Sequence, residues 1–136
     1  MKTYIIGFFA VSIPMLILDA IWLTTMIKTF YTKYLGELFA AKPSLVPAGI
    51  FYVLYTLGVL YFVVLPLLRT NANYMTVFLT GAFLGLVAYG TYDLTNQATL
   101  KNWPTIITVV DLIWGAFLTG IVSTIAVWIM RYVKLF

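Results

Sequence analysis

Three carboxylates in this chain stand where a carboxylate is expensive. Asp19, Asp93 and Asp111 each interrupt an apolar stretch of membrane-spanning length. Acids so placed relay protons, work as a general acid–base pair, or hold the polar head of a ligand. Asp93 belongs to Ala88-Tyr89-Gly90-Thr91-Tyr92-Asp93-Leu94-Thr95-Asn96-Gln97, a stretch reached from Arg69 without a charged residue. Asp19 lies nine residues before Lys28, Asp93 eight before Lys101, and Asp111 seven after Pro104. At 1.5 Å per residue these are depths of about 10–14 Å from one surface, inside an apolar core about 30 Å thick. All three acids are therefore expected in one leaflet.

An ionised carboxylate at such depth costs about 2.5–3.5 kcal/mol, so the acids must face inward and be protonated, share a proton, or accept bonds from Tyr, Asn or water. Tyr52 and Tyr55 fall at comparable depth, and Tyr89, Tyr92 and Asn96 flank Asp93. Asp19-Ala20-Ile21-Trp22 and Asp111-Leu112-Ile113-Trp114 share the pattern Asp-x-Ile-Trp, which sets an indole one helical turn from each carboxylate. The match is short and pairs the first span with the fourth, which a tandem duplication of two-helix units does not produce. Lys101 is the nearest cation and reaches Asp93 only by bending its stem inward. The expected site has Asp93, Asp111 and Asp19 as its acids, and Tyr52, Tyr55, Tyr89, Tyr92, Asn96, Trp22, Trp114 and Lys101 around them. The bland reading of the same groups is interhelical hydrogen bonding.

The elements that must position these residues follow from hydropathy. With 63% hydrophobic and 9% charged residues, and a mean hydropathy of +1.03, the chain lies far from soluble composition. Its 136 residues fit an all-α, four-helix transmembrane bundle in a single integral membrane domain over 1–136. Spans are predicted at about 4–27, 46–68, 74–98 and 105–130. Pro14 is tolerated within the first span when neighbours satisfy the freed carbonyl. The N-terminal run extends to Ile27, carries Asp19 and offers no small-residue cleavage site, so it is expected to be a mature helix and not a signal peptide.

Between the first and second spans, Phe30, Tyr31, Tyr34, Leu35, Leu38 and Phe39 alternate with charges at helical spacing. The pattern predicts a short interfacial helix, with continuation of the first helix as the alternative. Arg69-Thr70-Asn71-Ala72-Asn73 forces spans two and three to be antiparallel neighbours. Gly81 and Gly85 form a small-xxx-small motif for close helix packing. The stripe they begin is expected to continue through Ala88 or Tyr89 to Tyr92 and Asn96.

The absence of His and Cys removes the usual metal, haem and thiolate chemistry, and no span carries a Lys for a Schiff base. No cofactor is expected, and the oxygen ligands present do not have the spacing of a Mg²⁺ or Ca²⁺ site. The net charge of +4 is scattered through loops, which fits headgroup anchoring and no nucleic-acid partner. Lys2, Arg69, Arg131 and Lys134 face one side, and Lys28, Lys33, Lys42 and Lys101 the other. The count is even, so both termini are placed on the cytoplasmic side of a bacterial inner membrane only because that is common for such bundles.

Three functions fit. The first is a site that binds or acts on a lipid or small amphipathic molecule, with Asp93 and Asp111 as acid and base. The second is a proton-coupled carrier or channel, which needs polar groups in the opposite half, where little beyond Ser12, Ser123 and Thr124 is available. The third is a non-catalytic assembly partner docking through the glycine stripe. Membrane lipids, an amphipathic ligand and a second copy of the chain are the expected partners.

Ala88 to Asn96, then Ala98, Leu100-Lys101 and Trp103, then Asp111 with Trp114-Gly115, resemble the signature of a bacterial family of four-helix membrane proteins, the domain of unknown function numbered twenty-one seventy-seven. Leu18-Asp19-Ala20 with Trp22, and Phe51-Tyr52 with Tyr55, are similar to its first half. The resemblance covers nearly the whole chain. It implies the four-helix fold, tilts the expected activity towards membrane-lipid metabolism or stress response, and names no reaction.

Overall fold

The structure is a computed structural model that describes residues 1–134. It contains four helices long and apolar enough to cross a membrane: α1, Lys2–Leu38; α2, Leu45–Arg69; α3, Tyr74–Thr99; and α4, Thr105–Tyr132. Each contains one of the predicted spans. Short polar turns join them. Asn71 and Asn102 take the left-handed conformation, with φ of 50° and 60°, which Asn tolerates better than other residues with a Cβ. The Asn73 side chain caps α3 by accepting the Thr76 backbone N–H at 2.8 Å.

The segment after the first span is helical, but it continues α1 and is not a separate interfacial helix. The chain passes through a π turn at Ile27–Tyr31, one further α turn and a 3₁₀ turn at Gly36–Leu38. A continuous helix needs no new nucleation, and the Thr24, Thr25 and Thr29 hydroxyls bond back to carbonyls one turn earlier instead of breaking it. At 37 residues, α1 is about 55 Å long, so its last turns extend past a core about 30 Å thick.

Helices α3 and α4 make the closest pair. A Cβ on Gly85 would lie 2.1 Å from the Gly115 carbonyl oxygen, and one on Gly81 would lie 2.8 Å from the Thr119 carbonyl oxygen. Two backbones in such contact leave room for hydrogen alone. Helix α4 presents the complementary small stripe Gly115, Thr119, Ser123, spaced by four residues.

The apolar core fills the half of the bundle that carries the chain ends. Val11, Met15, Val59, Val64, Val77, Val122, Val127 and Met130 are its most enclosed members. At the extreme end, Arg131 donates to the Ala72 carbonyl at 2.6 Å and stacks over the Tyr74 ring at 4.9 Å. Gly7 lies against Leu60 and Met130, which brings the start of α1 beside the end of α4.

Candidate functional site

The other half of the bundle holds a cavity of about 450 Å³. Asp19, Asp93 and Asp111 all border it, together with Trp22, Tyr31, Tyr52, Tyr89, Tyr92 and Trp114. Leu23, Ile27, Leu35, Phe39, Phe51 and Ala88 complete the wall. The three acids share a cavity but not a point, because among the described residues no three acids gather closely enough to hold a metal ion.

The inward face of α1 is set by spacing. Gly7, Val11, Met15 and Asp19 recur every fourth residue and are buried, and Trp22 follows one turn later. Asp19 is 7% exposed. It accepts hydrogen bonds from the Tyr52 hydroxyl on α2 and from Trp114 Nε1 on α4 at 3.1 Å. Asp111 accepts from the Tyr31 hydroxyl, whose oxygen in turn accepts from Trp22 Nε1 at 3.1 Å. The two Asp-x-Ile-Trp segments therefore cross-bond. The indole of the second serves the acid of the first, and the indole of the first reaches the acid of the second through a phenol. Between them the indoles of Trp22 and Trp114 stack with centroids 4.2 Å apart and planes 6° from parallel.

Tyr31 was not among the residues singled out from sequence, and the π turn explains why. On an uninterrupted α-helix, nine residues rotate a side chain by about 900°, which leaves Tyr31 on the face opposite Trp22. The wide turn at Ile27–Tyr31 absorbs an extra residue and brings the next inward position from 30 to 31. Helical side chains also lean towards the N-terminus, so the phenol reaches back into the leaflet from a backbone position nearer the surface. The visible signal was an aromatic residue within a turn of Lys28 and Lys33.

Asp93 differs from the other two acids. It is 1% exposed, and neither of its oxygens has a hydrogen-bond partner among the described residues. Asp111 borders the same cavity.

The remaining expected residues divide. The Tyr89 ring packs directly on Gly115, where an added Cβ would come within 2.2 Å of it. Tyr92 lines the cavity while remaining 60% exposed. Tyr55 sits one turn deeper than Tyr52, shares a hydrogen bond of 2.7 Å with Thr119 Oγ1, and packs edge-on to Tyr89 with centroids 6.4 Å apart; it lies beneath the cavity and not in its wall. Asn96 is half-buried on α3 outside the cavity. Lys101 lines a separate polar hollow with Lys33, Glu37 and Trp103 and makes no bond to Asp93. The left-handed Asn102 follows it in the turn. The buried stripe of α3 runs Val77, Gly81, Gly85, Gly90, Asp93, not through Tyr92 and Asn96. Gly85 packs closely on Gly115; Asp93, eight residues on, is turned about 80° from Gly85, so the buried face of α3 swings round the helix between the glycines and the acid.

Among the curated proteins and the solved structures, none matches this chain. A family model described as "Predicted membrane protein (DUF2177)" matches residues 4–128. The matched region takes in every residue of the cavity wall and both helix-packing glycines of α3. The chain therefore belongs to the DUF2177 family of membrane proteins.

Proposed function

We propose that the cavity is an intramembrane binding site for an amphipathic molecule, a membrane lipid in the first instance, which enters sideways from the bilayer. The observation that carries this reading is the pairing of a cavity of about 450 Å³, within the range of small-molecule sites, with a break in the helix wall beside it. The first half of α2, Leu45–Val59, packs mainly on α1 and touches α3 where Tyr55 meets Tyr89, while Leu60–Val64 carries the main contact of α2 with α3. Phe51 on α2 and Tyr92 on α3 border the cavity on either side of this gap and are 48% and 60% exposed. Aromatic and aliphatic walls suit acyl chains, and the layer of acids suits a polar head.

In this reading Asp93 and Asp111 face the head as an acid–base pair, and Tyr31, Tyr52, Trp22 and Trp114 hold Asp111 and Asp19 in place. The site opens to one side only. A carrier path would have to run through the half filled by Val64, Val77, Leu118 and Val122, each no more than 1% exposed, and this favours a binding site over a conduit. The setting is a bacterial inner membrane with both termini cytoplasmic.

The test is lipid analysis of the protein purified in mild detergent. The parent should retain bound lipid at near-stoichiometric amount, and Ala88→Phe, which places a ring in the cavity, should lose most of it while remaining folded. Equal lipid content in both proteins would leave the cavity without a ligand and favour the assembly-partner function.

A further inference from the structure

We infer that the head bound in this cavity is an organic ammonium, carried either by an aminolipid or by a free amphipathic amine, in preference to a phosphate, sulfate or hydroxyl head. The inference rests on the reading that the cavity takes an amphipathic molecule, and adds its charge class.

Charge gives the first argument. Three carboxyls border the cavity, and the described residues that line it include no Lys or Arg. An anionic head would enter a low-dielectric space already carrying like charge, with no counter-ion to meet it.

The second argument counts donors. Tyr52 and Trp114 are committed to Asp19, Tyr31 to Asp111, and Trp22 to Tyr31. The phenols of Tyr89 and Tyr92 make no hydrogen bond among these, so an acceptor-type head finds two neutral donors and no cation in the wall. Asp93 shows the opposite need. It is 1% exposed, borders the cavity, and has two oxygens without a donor among the described residues. Native interiors rarely leave such groups unmatched. A hydroxyl head brings one donor and no charge. An ammonium brings several N–H donors and a positive charge into a space that both Asp93 and Asp111 border.

The third argument is the wall itself. The rings of Trp22, Trp114, Tyr89 and Phe51 border the same space, and aromatic faces attract organic cations through their quadrupole, most strongly where water is excluded. Acids that supply charge and rings that supply π faces together fit an alkylated or primary ammonium and no other common head group.

The experiment is native mass spectrometry of the full chain in maltoside micelles. It offers phosphatidylethanolamine and phosphatidylglycerol with identical acyl chains, followed by competition with octylamine or octanol. The net charge of +4 draws anionic lipid to the surface, so surface binding and cavity binding give opposite preferences. The expected result is at least tenfold preferential retention of phosphatidylethanolamine and its displacement by octylamine but not by octanol. Asp93→Asn should lose the preference, and Glu37→Gln, outside the cavity, should keep it. The headgroup comparison uses the unaltered protein, so it stands even if Asp93→Asn fails to fold.

Retention of phosphatidylethanolamine with weak octylamine binding would assign the ammonium to a lipid. Saturable octylamine binding without retained phosphatidylethanolamine would assign it to a free amine. Equal retention of both lipids in a cavity that Ala88→Phe still empties would overturn the ammonium selectivity and leave the lipid site standing. Binding of neither lipid nor amine would overturn both.

Discussion

In the half of the bundle that carries the chain ends, Val11, Val64, Val77, Val127 and Met130 are fully enclosed, α3 and α4 touch backbone to backbone at Gly81, and Arg131 ties the last turn of α4 to the turn before α3. In the other half, α2 draws away from α3, a cavity takes the place of a core, and the side chains around it are joined by hydrogen bonds and stacked rings. Both halves come from the same four helices. The difference lies in which residues each helix turns inward: small and branched apolar groups in one half, acids and aromatics in the other. Dense packing in the first half supplies the rigidity that lets the second remain open.

The largest effect should come from breaking the packed half at its closest contact. Gly85→Leu forces side-chain carbon against the Gly115 carbonyl oxygen, which even a Cβ would approach to 2.1 Å. The expected outcome exceeds the 1–3 kcal/mol typical of overpacking and is loss of a monodisperse peak in size-exclusion chromatography. A monodisperse variant with the parent's melting temperature would show that the two helices separate freely.

Next is Met130→Ala, which empties a site of 0% exposure. Such truncations cost about 2–5 kcal/mol, read as a clear drop in the thermal midpoint in detergent. A drop no larger than that of a surface variant would remove the contrast between the halves.

In the open half, Tyr31→Phe deletes the link between Trp22 and Asp111 and should cost about 1 kcal/mol, together with a shift in tryptophan emission as Trp22 Nε1 loses its acceptor. Tyr61→Phe, at a position 68% exposed, is the control and should change neither reading.

The smallest effect on stability is expected from Ala88→Phe. Because the ring enters the cavity and displaces no core side chain, the change measured on delipidated protein should stay within about 0.5 kcal/mol. A loss comparable to that of Met130→Ala would mean that the open half is packed after all.

Much of this arrangement was legible in the sequence, since hydropathy alone marks four spans and counting residues from the loop charges puts Asp19, Asp93 and Asp111 at one depth. Depth is a one-dimensional quantity and survives small errors in helix ends. The direction a side chain faces does not. One extra residue in the π turn at Ile27–Tyr31 hid Tyr31, the phenol that bonds Asp111. On α3, the stripe read through Tyr92 and Asn96 follows the direction of Gly85, whereas the buried face turns about 80° further to Asp93. Lys101 lay near enough in sequence to suggest a partner for Asp93, but it lines a different hollow. The cross-bonding of the two Asp-x-Ile-Trp segments depends on α1 and α4 being neighbours. In sequence the repeated pattern bears only on duplication, and a topology based on sequential pairing does not supply this contact.

The donors that satisfy Asp19 carry a consequence for how the protein is made. One of them, Trp114, follows it by 95 residues. At ribosomal speeds of about 5–20 residues per second, roughly 5–20 s separate the synthesis of the two. During that interval α1 carries a carboxylate with only Tyr52 on offer, so the nascent first helix has reason to linger at the insertion machinery, in contact with water or a partner helix, until the fourth helix arrives. The bond that completes the cavity wall is then also the event that releases the chain into the lipid.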